Sequence, residues 1–238
     1  MPDTVKTVIF DIDNTLYCFT EANKLALGAL SRYMGEHFGW TPQEFEQRHK
    51  AVQEEIYSYT NYNGSCRNRM IRYQKLLEQA SLPLFPHALN LYSLYWDTLL
   101  GAIRPFEGAG EVMRTLKERG MRIGICTDMT AYMQLRKLET LGLLRYVDFM
   151  VSSEEVGEEK PSPGMFRMCI RKAGCSPEEC LFVGDHPEKD IGGALSCGMQ
   201  ALWFAPDEIT FEEKAAVNDV LSGKRIVFLK EVLSFLSI

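Results

Sequence analysis

The chain has 238 residues, with 46% hydrophobic residues, 24% charged residues and a formal net charge of −6 at pH 7. This size suits one domain, or one domain with an insert, and the composition is that of a globular protein. The negative charge argues against a nucleic-acid surface, and no apolar run approaches the roughly 18 residues of a membrane span. The seven cysteines, with no signal-like segment before them, lead us to expect reduced thiols and a cytoplasmic protein.

The first apolar run, residues 5–11, predicts a buried strand that leads into Asp11 and Asp13. Side chains alternate along a strand, so both carboxylates lean the same way if the extended geometry persists. Two carboxylates this close repel each other, and a metal ion or a proton is expected to hold them together. The alternative is a strand followed by an ordinary turn, because Asp-Asn-Thr is common turn chemistry. This segment alone leaves both interpretations open.

The stretch from about residue 19 to residue 101 contains no convincing strand. It predicts amphipathic helices instead, over residues 20–34, from residue 41, and over residues 67–80 and 89–100. The second of them has Thr41 as a cap and Pro42 in its first turn. We interpret residues 18–102 as a helical insert, and we expect residues 1–17 and 103–238 to form one core.

One corner of this insert combines aromatic and basic residues. Residues 57–64 are rich in tyrosine and precede Arg67, Arg69 and Arg72. Such a group can stack on and pair with part of a substrate. The simpler interpretation, which we favour, is a corner between helices with a solvated basic face.

After the insert, apolar runs rich in β-branched residues alternate with amphipathic segments. The predicted strands lie near residues 121–126, 147–151, 180–184, 200–204 and 225–229, and the clearest helices span 111–117, 134–142 and 163–173. In the helix over 134–142, the apolar positions are Leu135, Leu138 and Leu141. Such alternation predicts a doubly wound α/β fold, with a parallel sheet and helices on both faces. Ligands of such folds bind at the carboxyl edge of the sheet.

Polar residues occur in a fixed order along this core: acid, hydroxyl, cation and acid. The segments are Asp11-Ile12-Asp13-Asn14-Thr15, Thr127, Lys160, and Gly184-Asp185 through Asp190. The series resembles the haloacid dehalogenase (HAD) superfamily of aspartate-nucleophile phosphohydrolases, including its DxDxT and GDxxxxD motifs. The helical insert, placed between the first and second motifs, resembles the α-helical cap of subfamily I.

The resemblance implies a Rossmann-like core with an inserted cap, and hydrolysis of phosphate esters through an aspartyl-phosphate. It makes Asp11 the nucleophile and Asp13 the general acid and base. It also implies that Thr127, Asp128 and Lys160 hold the phosphoryl oxygens. Asp128 departs from the asparagine often found in related phosphatases, so an acid at this position would weaken phosphate binding or face away.

The cofactor implied by the resemblance is Mg²⁺. Asp11 and Asp185 would be side-chain ligands, and a backbone carbonyl near Asp13 would add a third. Asp190 would orient a metal-bound water or Lys160. The alternative for Asp190 is the N-cap of a helix that begins at residue 191. His186 would either tune the metal site or be an ordinary loop histidine.

The expected function is therefore Mg²⁺-dependent hydrolysis of a small phosphate monoester, such as a nucleotide or a sugar phosphate. Asp13 favours phosphate chemistry, because the dehalogenases that name the superfamily lack an aspartate at that position. A phosphomutase of the β-phosphoglucomutase type and a non-catalytic binding module are the alternatives. The expected partner is a small phosphorylated metabolite, with no nucleic acid and no membrane, for a monomer or a homodimer.

Overall fold

The computed structural model describes residues 5–60, 64–206 and 225–238. It divides into two compact units, of which one is Phe19–Ile103 and the other combines Met1–Cys18 with Arg104–Ile238. None of the helices in the described ranges combines the length and the hydropathy of a membrane span.

In the unit Phe19–Ile103, all the secondary structure of the described residues is helical. Its long helices are α1 (Phe19–Phe38), α2 (Pro42–Thr60), α3 (Arg69–Gln79) and α4 (His87–Ala102). The hydroxyl of Thr41 accepts the backbone N–H of Glu44 at 3.2 Å, as expected of a cap before Pro42.

The arginines of this unit differ from the expected solvated face. Arg69 and Arg72 are buried, so that interpretation is wrong for both of them. Their charges are accommodated by neutral acceptors: Arg69 donates to the Tyr95 hydroxyl at 3.4 Å, and Arg72 donates to Gln53 Oε1 at 3.0 Å. Residues 61–63 of the same corner lie outside the described residues.

The described residues of the other unit form a sheet of six parallel strands. They are β1 (Thr7–Phe10), β2 (Arg122–Thr127), β3 (Phe149–Ser152), β4 (Cys180–Gly184), β5 (Gln200–Phe204) and β6 (Arg225–Ile226). Their spatial order is β3-β2-β1-β4-β5-β6, which is the order of doubly wound nucleotide-binding folds. The prediction of a doubly wound α/β core is confirmed.

Within residues 5–18, 104–206 and 225–238, six α-helices accompany the strands. They are α5 (Ala109–Glu118), α6 (Ala131–Thr140), α7 (Ser153–Val156), α8 (Pro163–Ala173), α9 (Gly193–Ser196) and α10 (Glu231–Phe235). A π-helix spans Pro187–Gly192. α8 matches the predicted segment, since Ser162 caps its first turn and Gly174, with φ of 68°, ends it in the left-handed region.

The core explains why the central strands read as continuous apolar runs. β1 and β4 are buried along their whole length, because each has a strand on both sides and side chains packed on both faces. The rings of Phe166 on α8 and Phe182 on β4 pack with their centroids 5.4 Å apart. This contact packs α8 against β4 in the core.

Helix α6 differs in detail from the sequence expectation. Leu138 and Leu141 are buried as expected, but Leu135 is 40% exposed. The inward positions belong instead to Gln134 and Lys137, which are both fully buried. Gln134 donates to Thr127 and Lys137 donates to Asp13, and these hydrogen bonds offset part of the cost of burying the two polar side chains.

Candidate active site

The candidate site lies at the carboxyl edge of the sheet, where the strand order reverses. Connections from β1 run outward to β2 and β3 on one side, and β4, β5 and β6 lie on the other. Asp11 directly follows β1 and Asp185 directly follows β4, and these two strands are neighbours. The crevice at such a reversal is where doubly wound folds bind ligands.

Three carboxylates converge at this point. One oxygen from each of Asp11, Asp185 and Asp190 lies within 4.8 Å of the others. Asp190 belongs to the π-helix Pro187–Gly192, and its Oδ2 accepts the backbone N–H of His186 at 3.1 Å. Thr15 donates to Asp185 Oδ1 at 3.4 Å, so the chain after β1 also supports the acid after β4.

Lys160 contacts two of these acids. Its Nζ is 2.7 Å from Asp11 Oδ1 and 2.7 Å from Asp190 Oδ1. It also donates to the carbonyl of Cys126 at 3.2 Å. Burial opposes the charge of Lys160, but the surrounding carboxylates outweigh it and raise its pKa well above the usual range.

The acids nevertheless outnumber this cation. Burial, together with the charges of Asp190 and Asp13, raises the pKa of Asp11 to about 7 despite the opposing effect of Lys160. Burial and the charges of Asp190 and Asp11 raise the pKa of Asp185 well above its usual range. A site with more negative charge than one lysine can balance favours a further cation.

The ligands on offer fit Mg²⁺. All three side chains supply hard carboxylate oxygens close enough together to share one ion, and Mg²⁺ is commonly held by one or two carboxylates plus substrate phosphate. Asp13 contributes no oxygen to this group of three. Its predicted metal contact, through a backbone carbonyl, stays a prediction.

The carboxylate of Asp13 has a separate set of partners. Lys137 Nζ lies 2.7 Å from Oδ1 and 2.9 Å from Oδ2 of Asp13. The hydroxyl of Tyr17 donates to Asp13 Oδ1 at 2.5 Å. Asn14, with φ of 60°, makes the turn that returns Tyr17 to Asp13. The strand and the turn proposed for this segment therefore both occur.

Thr127 is the last residue of β2 and is buried. Its hydroxyl accepts a hydrogen bond from Gln134 Nε2 of α6. A hydroxyl that accepts in this way keeps its own hydrogen for donation, which suits contact with an anionic oxygen.

Asp128 and His186 have structural contacts in this site. Asp128 Oδ1 accepts the backbone N–H of Lys160 at 2.9 Å, so its side chain fixes the loop that carries the lysine. His186 Nδ1 accepts the backbone N–H of Lys189 at 3.2 Å and caps the π-helix. The alternative role of Asp190 as an N-cap is therefore wrong, because the helical segment begins earlier, at Pro187.

Sequence reasoning missed three residues of this site: Tyr17, Gln134 and Lys137. The signal for the last two was present, since they lie three positions apart on one face of a helix that follows Thr127. The leucines of the same segment hid this signal, because their spacing alone satisfies a helical pattern.

Comparison with known proteins shows the family of this chain. The family model described as "haloacid dehalogenase-like hydrolase" matches residues 5–198. The chain is 34% identical over 203 residues to ribulose-1,5-bisphosphate 5-phosphatase of Halopiger xanaduensis, covering 84% of this chain and 85% of that one. It is 32% identical over 233 residues to glyceraldehyde 3-phosphate phosphatase of Methanothermobacter thermautotrophicus, covering 96% and 100% of the two chains.

A solved structure agrees in fold. The HAD phosphatase of Thermococcus onnurineus superposes with a TM-score of 0.71 at 24% identity, over 98% of each chain. The chain belongs to the haloacid dehalogenase-like hydrolase family. The expectation of an enzyme that hydrolyses phosphate monoesters is confirmed at the level of class by this family and by the phosphatase names of its relatives.

Proposed function

We propose that this protein hydrolyses a small sugar phosphate, using Mg²⁺ and an aspartyl-phosphate formed on Asp11. The observation that carries this proposal is the convergence of Asp11, Asp185 and Asp190 at the point where the strand order reverses, with Lys160 in contact with the first and the last of them. The relatives named for ribulose-1,5-bisphosphate and glyceraldehyde 3-phosphate support a phosphorylated sugar or triose as the class of substrate.

Asp11 and Asp185 would hold Mg²⁺ directly, with Asp190 beside them. Bound there, Mg²⁺ would supply positive charge that shields the phosphate oxygens from the attacking carboxylate. Lys160 supplies the same kind of charge from the chain itself, since its Nζ already lies 2.7 Å from Asp11 Oδ1. This arrangement would let the Asp11 carboxylate approach the negatively charged phosphate.

In the first half of the reaction, a carboxylate oxygen of Asp11 bonds to phosphorus while the bond to the leaving oxygen breaks. The leaving oxygen takes a proton from the carboxyl group of Asp13. In the second half, Asp13 takes a proton from water, whose oxygen bonds to phosphorus as the bond to Asp11 breaks. Asp11 is then a free carboxylate again, and Asp13 carries a proton.

Thr127 and Lys160 would hold the transferring phosphoryl oxygens. The Thr127 hydroxyl is oriented by Gln134, and Lys160 is oriented by Asp11 and Asp190. Both residues are nearly inaccessible to water, so little reorganisation is needed when charge develops on these oxygens. The side chain of Asp128 holds the Lys160 loop, and only its backbone remains a candidate for phosphate contact.

The same proposal assigns catalysis to residues 1–17 and 103–238, which contain every residue named above. Residues 18–102 are then an inserted cap, and specificity among phosphate esters is proposed to depend on them. Lids of this kind exclude water and select substrates in many enzymes.

The test is phosphate release from a panel of sugar phosphates, triose phosphates and nucleotides, with and without Mg²⁺. Release by the wild type should need Mg²⁺ and should be lost in Asp11→Asn. Glu118→Gln, which removes a negative charge from the exposed end of α5, is the matched control and should retain activity. Activity that survives Asp11→Asn would reject the nucleophile, and turnover that needs a bisphosphate and frees little phosphate would indicate a mutase.

A further inference from the structure

Lys137 has no role in the reaction as described so far, yet its environment is unusual for a lysine. It is fully buried on α6, in a position that its helix could have given to an apolar residue. Lysine is almost never fully buried unless it is paired, because its charge loses the solvation that water provides. A buried cation of this kind therefore has a specific partner.

That partner is Asp13. The ammonium group of Lys137 contacts both oxygens of the carboxylate, at 2.7 Å and 2.9 Å. Tyr17, itself fully buried, adds a hydrogen bond of 2.5 Å to one of the same oxygens. The Lys137 nitrogen also lies 5.7 Å from the centre of the Tyr17 ring, so the three side chains form one packed group.

The two sides of this group differ in their access to water. The side chain of Lys137 is 1% exposed, whereas the side chain of Asp13 is 27% exposed. Two buried side chains, Lys137 and Tyr17, therefore contact the carboxylate of Asp13, while part of Asp13 stays accessible to water. A group that exchanges a proton with a bound substrate needs this combination, since geometry within hydrogen-bond reach comes before acidity.

We propose that Lys137 and Tyr17 are positioning residues that fix the carboxyl group of Asp13 for proton exchange with the leaving group and then with water. This inference rests on the proposed function, and it deepens that function by assigning two residues that the sequence motifs do not include. Neither residue touches the reacting atoms. Both act through the orientation of Asp13.

The choice of leaving group tests the proposal. An alkyl phosphate such as glycerol phosphate releases a poor leaving group that needs a proton, whereas p-nitrophenyl phosphate releases a stable anion that does not. The quantity to compare is kcat/KM, because it reports the steps up to the first bond cleavage. General acid catalysis contributes about 10²–10⁴-fold, so its loss is large enough to measure.

Lys137→Met keeps most of the length of the side chain and removes its charge. We expect this variant to lose about 100-fold or more in kcat/KM for the alkyl ester. The loss for the aryl ester should be about 10-fold or less, since the general acid is not needed there. Tyr17→Phe removes one hydroxyl and should show the same selectivity with smaller losses. If Lys137→Met fails to fold, Tyr17→Phe alone tests the proposal.

Arg136→Met is the matched control, because it removes a positive charge from the neighbouring, exposed position of the same helix. It should leave both kcat/KM values unchanged. Equal losses on the two esters in Lys137→Met and Tyr17→Phe, or no loss on either, would overturn the positioning role. A wild type that releases no phosphate from any ester would instead reject the proposed function, and this inference with it.

Discussion

Lys160 and Asp190 form an ion pair with 2.7 Å between Nζ and Oδ1, and their side chains are only 4% and 1% exposed. The same nitrogen contacts Asp11, so one cation holds two acids that would otherwise repel each other. Breaking a buried pair on one side is costly, because the remaining charge is left in a poorly solvated environment.

Lys160→Met should therefore lower the free energy of unfolding by about 3–5 kcal/mol in Mg²⁺-free buffer. Urea unfolding measures this change, and added Mg²⁺ should restore part of the loss by supplying charge to the same acids. Lys50→Met is the control, since its pair with Glu54 is exposed and should contribute no more than about 1 kcal/mol. Equal stability of the wild type and Lys160→Met would contradict this reading of the site.

The proposed function places Mg²⁺ at the folded arrangement of Asp11, Asp185 and Asp190, so Mg²⁺ should stabilise the wild-type protein. At a concentration about 100 times the dissociation constant, the gain should be about 2.7 kcal/mol. Thermal unfolding with Mg²⁺ and with EDTA measures it.

Asp185→Asn distinguishes the effect of repulsion among the three carboxylates from the effect of metal binding. Without Mg²⁺, this variant should be at least as stable as the wild type, because one of three crowded carboxylates loses its charge. The same variant should lose most of the gain from Mg²⁺. A full gain in Asp185→Asn would place the metal elsewhere.

Gly184 allows the approach of Asp190 to the end of β4. A Cβ at this position would overlap the Asp190 carboxylate, which lies directly against the backbone. Gly184→Ala should cost about 1–3 kcal/mol of unfolding free energy, as overpacking typically does, and should also weaken stabilisation by Mg²⁺. Gly101→Ala is the control, since a Cβ there meets open space on helix α4 and should be neutral or stabilising. Comparable stability of the two variants would show that Asp190 moves aside without cost.

Because of His49, the free energy of unfolding should fall in acid. Burial, with the charges of Arg72 and Arg69, lowers the pKa of His49 from 6.5 to about 3. Below pH 6.5 the His49 side chain binds a proton in the unfolded chain but not in the folded chain. The free energy of unfolding therefore falls as the pH drops toward 3. The slope should be roughly 1 kcal/mol per pH unit. Urea unfolding at pH 7 and at lower pH measures this fall, which should be smaller in His49→Gln. Identical pH dependence of unfolding in the variant and the wild type would refute the prediction.

The sequence by itself determined the core fold and indicated part of the candidate site. All six strands were predicted from apolar runs, because strands buried on both faces need continuous hydrophobic residues. The acids Asp11 and Asp185 and the hydroxyl Thr127 were found because polar residues at the ends of such runs are conspicuous. Apolar runs and the polar residues at their ends are local features, so the sequence shows them directly.

Only the tertiary structure decided which of these residues meet. Strand order places β1 beside β4, and this brings together Asp11 and Asp185 from distant parts of the chain. The pairing of Lys137 with Asp13 joins α6 to the turn after β1, across a separation that no local pattern encodes. A helical pattern shows which residues share a face, but only packing determines what that face contacts. This is why the sequence misplaced Leu135 and missed Lys137, although the helix itself was predicted.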